Sequence, residues 1–312
     1  MSSNSSNSSN SSNSSNSSNA GSAGGGYFLP DRVDLPFSTE PDPTGLVAPP
    51  PGALPREIGT LRVNRAVNGF PNANWTAEWR AWHVLADFTS IQGWAAAIVL
   101  PDPATLAVPV ATELNDLVTA AQTERLDAMG EIMAQNESFL EFFTGLLTMT
   151  PASHPATWRM MNVAILIGLH AAMQFKLQFN RTRPSQLLPA LLPPIPVPGH
   201  ASYPSGHSTQ AHLVAKCLID VVTPAPAGSD IGVMEANLTA LAGRIARNRE
   251  LAGLHYQSDS DAGEILATGL FTALTTKMPL TVTAAGAEAT AAIAGTQSKY
   301  QVIHDLARKE WA

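Results

Sequence analysis

A single cysteine, Cys217, in 312 residues excludes an internal disulfide framework and any metal cluster built on thiolates. It reads as core filler, since a free cysteine behaves as a small buried hydrophobe. The redox compartment stays open, because chains without disulfides occur on both sides of a membrane. Basic runs are missing as well. With a net charge of −7, the chain is a poor match for nucleic acid or an anionic membrane as a main partner. No uninterrupted apolar run reaches the roughly 18 residues of a spanning helix. The best, Met160 to Met173, is interrupted by Asn162 and His170 and reads as a buried core helix, so no membrane span is expected. There is no basic-then-apolar signal peptide at the N-terminus. Gly-x-Gly-x-x-Gly after a strand, a Walker loop, His-Glu-x-x-His and structural repeats of fixed period are all missing. Strands are scarce too: Thr281-Val282-Thr283 is the clearest β-branched run, and it is too brief to carry a sheet.

What is present begins with Ser-Ser-Asn repeated from Ser2 to Asn19, then a Gly/Ala/Ser stretch to residue 26. Such a segment cannot bury apolar surface, so 1–26 reads as a disordered tether. Its regularity suggests an added segment, in which case a native export signal could have been replaced. The compartment stays open; a soluble chain is expected, exported where such a native signal existed. Residues 27–65 are rich in proline and turn residues (Pro41-Asp42-Pro43-Thr44, Pro49-Pro50-Pro51) and read as an extended arm. From 66 to 312 helical signals dominate. Asn74 is a candidate N-cap for a helix running on through Leu85. Helix-length patterns then cover 109–120, 122–148, 156–180, 207–222, 231–252, 260–277 and 284–310. With 45% hydrophobic residues, the composition supports one sizeable core. The expected architecture is all-α, a single globular helical bundle. The five prolines between Leu187 and Pro198 demand a loop, read here as ordered and functional.

Three segments carry chemistry. Lys176 and Arg183 stand seven residues apart, close to two helical turns, so both cations project from nearly one face. Pro184 disfavours helix at Arg183 and displays the guanidinium at a helix end. By itself this pair reads equally as a solvated basic helix terminus; Arg181 reads as the surface member of the cluster. In the second segment, Tyr203-Pro204-Ser205-Gly206-His207, the sequence opens a helix whose unpaired N–H groups and positive dipole end suit an anion. Gly206 permits close backbone approach, Ser205 adds a hydroxyl, and His207 reaches the same point. The bland alternative is a capped helix with an incidental histidine. In the third, Gly253 reads as a helix C′ residue, placing Arg249 in the last turn and His255 just beyond. Ser258 reads as the next cap with Asp261 as its partner. Asp259 is placed to accept the His255 imidazole N–H and fix its tautomer. Helix-end decoration is the alternative there.

Lys-x6-Arg-Pro, Pro-Ser-Gly-His and Arg-x5-His-x3-Asp, in that order, resemble the superfamily of vanadium-dependent haloperoxidases, class A bacterial acid phosphatases and type 2 phosphatidic acid phosphatases. The resemblance covers about residues 156–275, and departs from it where Asn248 replaces a frequent serine before the second arginine. It implies that Lys176, Arg183, Arg249, Ser205 and the Gly206 N–H hold an oxyanion. His255 would be the phosphoryl-accepting nucleophile or the ligand to vanadium, His207 the acid–base, and Asp259 the residue orienting His255.

The flanks favour vanadate. His200 stands seven residues before His207, Thr209-Gln210 follows it, and Arg181-Thr182-Arg183-Pro184 and Leu254-His255-Tyr256 resemble algal vanadium bromoperoxidases. The resemblance therefore implies a vanadate cofactor, hydrogen peroxide, bromide or iodide and a small organic acceptor, with His200 in the catalytic set; homodimers are common in the family. The alternative is a soluble acid phosphatase acting on phosphate monoesters through a phosphohistidine, since the chain is short for an algal enzyme. His170 and His212 read as hydrogen-bonded core residues, and Trp75, Trp79, Trp82 and Trp94 as packing residues.

Overall fold

The computed structural model describes residues 75–222, 231–278 and 297–312, and among these the chain is helical, without a strand. The N-terminal tether and arm, the Asn74 cap and Thr281-Val282-Thr283 lie outside the described residues. Ten α-helices are described: α1 (Ala77–Thr89), α2 (Val110–Thr123), α3 (Arg125–Glu137), α4 (Leu140–Leu146), α5 (Pro155–Phe179), α6 (Pro184–Leu187), α7 (Gly206–Val222), α8 (Ile231–Leu251), α9 (Gln257–Thr276) and α10 (Lys299–Glu310). A 3-10 turn, Pro189–Leu191, lies inside the proline-rich loop.

The stretch expected to be one helix over 122–148 is two. Ser138 takes an extended conformation, φ −157° and ψ 128°, which ends α3 and lets α4 restart after Phe139. α1 begins at Ala77, and Thr76 precedes it in extended geometry, without a side-chain bond.

The core is organised by α5 and α7. α5 starts on Pro155, a residue suited to the first turn because its missing N–H has no helical partner there. Glu310 of α10 accepts from the free Ala156 and Thr157 N–H groups at 2.8 and 2.9 Å, placing a carboxylate at the positive end of the helix dipole. α5 ends where Asn180 turns left-handed, φ 49°. Buried residues line most of its circumference, and α1, α7 and α10 pack around it. α7 is held in turn by α5, α8 and α9. Close helix crossings rest on glycine: a Cβ at Gly263 would stand 2.7 Å from Ser208 Cβ and 2.8 Å from the Ser205 carbonyl.

Two expectations need correction here. The Pro155–Leu187 stretch is, by length and composition, long and apolar enough to cross a membrane, with 67% of its most apolar window buried inside the protein. Asn162 and His170 break the apolar run but carry no fixed charge, so the expectation of no membrane span does not hold as stated. The tryptophans also divide: Trp94 is buried, whereas Trp75, Trp79 and Trp82 are exposed.

Candidate active site

Each of the three segments reaches the site from a helix terminus, and local sequence accounts for that. Lys176 sits in the last turn of α5; Asn180 then stops the helix and Pro184 keeps Arg183 extended, φ −72° and ψ 151°. Ser205 precedes the first residue of α7, Gly206, and its backbone N–H donates to the Asp259 carbonyl at 2.8 Å, tying the second segment to the third. Gly253, at φ +75°, reverses the chain after α8 in the left-handed region that glycine enters without a Cβ penalty. Arg249 is left in the last turn of α8 and His255 just before α9.

Lys176, Arg183, Arg249, Ser205, His255 and Asp259 are all buried. Lys176 Nζ donates to the Ala201 and Ser202 carbonyls at 2.9 and 2.7 Å. Arg183 donates through Nε to the His200 carbonyl at 2.8 Å and through Nη1 to the Leu254 carbonyl at 2.9 Å. Arg249 spends only Nη2, on the Ile132 carbonyl at 2.8 Å; its Nε and Nη1 are buried with no hydrogen-bond partner in the protein. His207 Nε2 is likewise buried and unpartnered. Unsatisfied buried donors of this kind are rare in native proteins and costly without a partner. His255 Nδ1 lies 3.1 Å from Asp259 Oδ2, so with its proton on Nδ1 the ring keeps a lone pair on Nε2.

The electrostatics follow from burying cations together. Burial, then the Arg183 charge, holds the Lys176 ammonium well below its usual range, with Asp259 opposing. Burial lowers Arg183 and Arg249 to about 10 each. His207 is held well below its usual value by burial, then by Arg249 and His255. His255 is lowered by burial, then by Arg183 and Lys176. Both imidazoles are thereby biased towards the neutral form. His207, His255, Lys176, Arg183 and Arg249 are thus close enough for their charges to act on one another. Positive charge in excess of its buried carboxylate, with donors left over, is what a polyanionic ligand complements.

His200 joins the cluster from behind Arg183: its Nδ1 is 3.1 Å from Arg183 Nη2 and 3.1 Å from the Ala201 carbonyl. Burial, then Lys176, lowers it to about 4. At Gly206 a Cβ would meet only Lys176 Cε, 4.0 Å away. Asn248 turns from the cluster and donates to Glu131 and Gln135 of α3, fixing the helix whose Ile132 carbonyl receives Arg249.

Several sequence expectations change. Arg181 is no surface residue: its guanidinium bridges Asp259 Oδ1 at 2.7 Å and Glu113 Oε2 at 2.6 Å, 3.9 Å from the Tyr256 ring centroid. Ser258 does not cap α9 with Asp261; its hydroxyl donates to Glu113 Oε1 at 2.6 Å, while Tyr256 N donates to Asp259. Arg125 belongs to none of the three segments. It donates to the Leu251 and Leu191 carbonyls, joining the end of α8 to the proline-rich loop. His212 does bond within its helix, Nδ1 to the Ser208 carbonyl at 2.8 Å. His170 instead lies half-buried, its ring centroid 6.0 Å from that of Trp94.

No family model matches the chain, and no curated protein matches it. Among solved structures, the chain is similar to a transmembrane PAP2 type phosphatidylglycerolphosphate phosphatase from Bacillus subtilis, at 17% identity and a TM-score of 0.40, covering 62% of this chain and 92% of that one. At that level no chemistry passes from one chain to the other. Pro155–Leu187 has the length and composition of a membrane span, so the expectation of a soluble chain does not stand.

Proposed function

We propose that this chain is a phosphatase of the type 2 phosphatidic acid phosphatase kind, hydrolysing phosphate monoesters through a phosphohistidine on His255. The observation that carries this reading is the pair of unpartnered buried groups, Arg249 Nε/Nη1 and His207 Nε2, beside the neutral His255 backed by Asp259. The side chains present supply every group the reaction needs. Lys176, Arg183 and Arg249, with Ser205 and the Gly206 N–H, hold the phosphoryl oxygens. His255 Nε2 attacks phosphorus while the ester bond breaks, and His207, protonated once the dianion offsets its cationic neighbours, gives its proton to the leaving alkoxide. His207 then takes a proton from water as the water oxygen displaces His255 and releases inorganic phosphate.

A second reading rests on His200, whose imidazole stands against Arg183. Vanadate presents the same tetrahedral array of oxygens, so the unpartnered Arg249 and His207 atoms fit it equally. It would be held by His255, Lys176, Arg183, Arg249, Ser205 and Gly206, and would supply Lewis-acid activation of hydrogen peroxide for oxidation of bromide or iodide. The residues' part would be to bind and orient the anion, with His207 accepting the peroxide proton.

The two are separated by assaying p-nitrophenyl phosphate hydrolysis beside monochlorodimedone bromination with peroxide, each with and without orthovanadate. The phosphatase reading expects hydrolysis that orthovanadate inhibits, and an acid-labile phosphohistidine in quenched samples. Bromination that depends on added vanadate, without measurable hydrolysis, would reverse the order.

A further inference from the structure

Asp259 can fix the His255 ring only if its own carboxylate is fixed, and the structure shows what fixes it. Oδ2 accepts from His255 Nδ1 and from the Tyr256 N–H, both at 3.1 Å, while Oδ1 faces the other way and accepts from Arg181 Nη1 at 2.7 Å. Arg181 is itself held on three sides: Nη1 reaches Ser258 Oγ at 2.7 Å, Nη2 reaches Glu113 Oε2 at 2.6 Å, and the guanidinium lies over Tyr256. Glu113, on α2, closes the circuit through Oε1, which accepts from the Ser258 N–H at 3.0 Å and from the Ser258 hydroxyl at 2.6 Å. Arg181 and Glu113 have side-chain exposures of 9% and 5%, so little water competes for these bonds. No donation from Arg181 is aimed at the oxyanion cluster; the side chain is committed to Asp259, Ser258 and Glu113.

We infer that Arg181, anchored by Glu113, is a positioning residue for His255: by occupying Asp259 Oδ1 it fixes the rotation of that carboxylate and leaves Oδ2 to hold the Nδ1–H tautomer. The inference deepens the proposed phosphatase reading and rests on His255 being its nucleophile. The physical reason is the two-fold symmetry of a carboxylate. Without a charge-assisted donor on one oxygen the group can turn, and the imidazole then loses the partner that aims its Nε2 lone pair. A guanidinium suits the position because its planar fork reaches two carboxylates at once, which a lysine ammonium does less well.

The test uses the full chain and the variants Arg181→Met, Arg181→Lys and Glu113→Gln, with p-nitrophenyl phosphate as substrate. Arg181→Met is expected to lower kcat by about 10- to 100-fold with KM changed by less than about threefold, Glu113→Gln to lower kcat by less, and Arg181→Lys to recover part of the loss. Nitrogen-15 NMR of the histidine rings supplies a readout independent of turnover: the His255 Nδ1–H signal should weaken or shift in Arg181→Met and Glu113→Gln. An unchanged His255 signal in both, or a loss carried by KM with kcat intact, overturns the inference. If Arg181→Met does not fold, Arg181→Lys and Glu113→Gln decide by the same two readouts. Should the wild type hydrolyse no phosphomonoester, the proposed function fails, and the ring signals still decide the positioning role.

Discussion

His255 and Asp259 stand one helical turn apart across the start of α9, with imidazole Nδ1 3.1 Å from carboxylate Oδ2. That contact turns a buried histidine into a directed one. The ring donates its Nδ1–H to Asp259 Oδ2, and its second nitrogen keeps a lone pair among the cations.

Replacing His255 with alanine should abolish p-nitrophenyl phosphate hydrolysis and the acid-labile phosphoenzyme together. Retention of a phosphoenzyme would move the nucleophile to another residue.

His207→Ala should lower kcat by about 10²- to 10⁴-fold, the usual weight of a positioned acid–base, while orthovanadate still binds. Its ring is packed against Phe139, centroids 5.6 Å apart, so the cavity it leaves is apolar on that side. Loss of vanadate binding in parallel, read by calorimetry, would make His207 a ligand only.

Arg249→Met removes the guanidinium whose Nε and Nη1 have no protein partner. A hydrogen bond to a charged group contributes about 1.5–3 kcal/mol, so the inhibition constant for orthovanadate should rise roughly 10- to 150-fold. An unchanged constant would place the anion elsewhere.

Gly263→Ala gains up to about 1 kcal/mol of helix propensity but forces a Cβ to within 2.8 Å of the Ser205 carbonyl. Overpacking against backbone costs about 1–3 kcal/mol and should win, lowering the Tm in thermal unfolding. A raised Tm would show that α7 and α9 can separate freely.

His304 and Asp220 provide a pH dependence away from the site, Nε2 to Oδ2 at 2.5 Å, and clasp α10 to α7. The hydrogen bond to Asp220 raises His304 above its usual 6.5, with Asp305 adding to it; the bond to His304 lowers Asp220. A histidine raised in the folded state contributes stability that is fully present below about 6.5 and lost as pH rises through the higher folded value. The Tm advantage of the wild type over His304→Gln should therefore be larger at pH 6 than at pH 9. A pH-independent difference would remove the charge from the explanation.

Much of this molecule is legible without coordinates because it depends on residues close in sequence. The spacing of Lys176 and Arg183, Pro184 behind the arginine, Gly253 after Arg249 and the one-turn interval from His255 to Asp259 fix local geometry. That geometry is enough to read helices, their termini and a shared anion. Other features turn on partners far along the chain. Arg181 reads as a surface cation until Glu113, 68 residues earlier, and Asp259, 78 residues later, are folded onto it. Ser258 looks like a cap until Glu113 takes its hydroxyl. The break at Ser138 interrupts what reads as one helical pattern. The reading of Met160 to Met173 as too interrupted to span a membrane also does not hold as stated, because the longer Pro155–Leu187 stretch has the length and average composition of a span despite Asn162 and His170. Sequence determined which groups stand at helix ends, since chain geometry repeats every few residues. Only the tertiary structure decided which buried charges are paired with one another and which, like Arg249, are left for a ligand, because desolvation and pairing belong to neighbours in space.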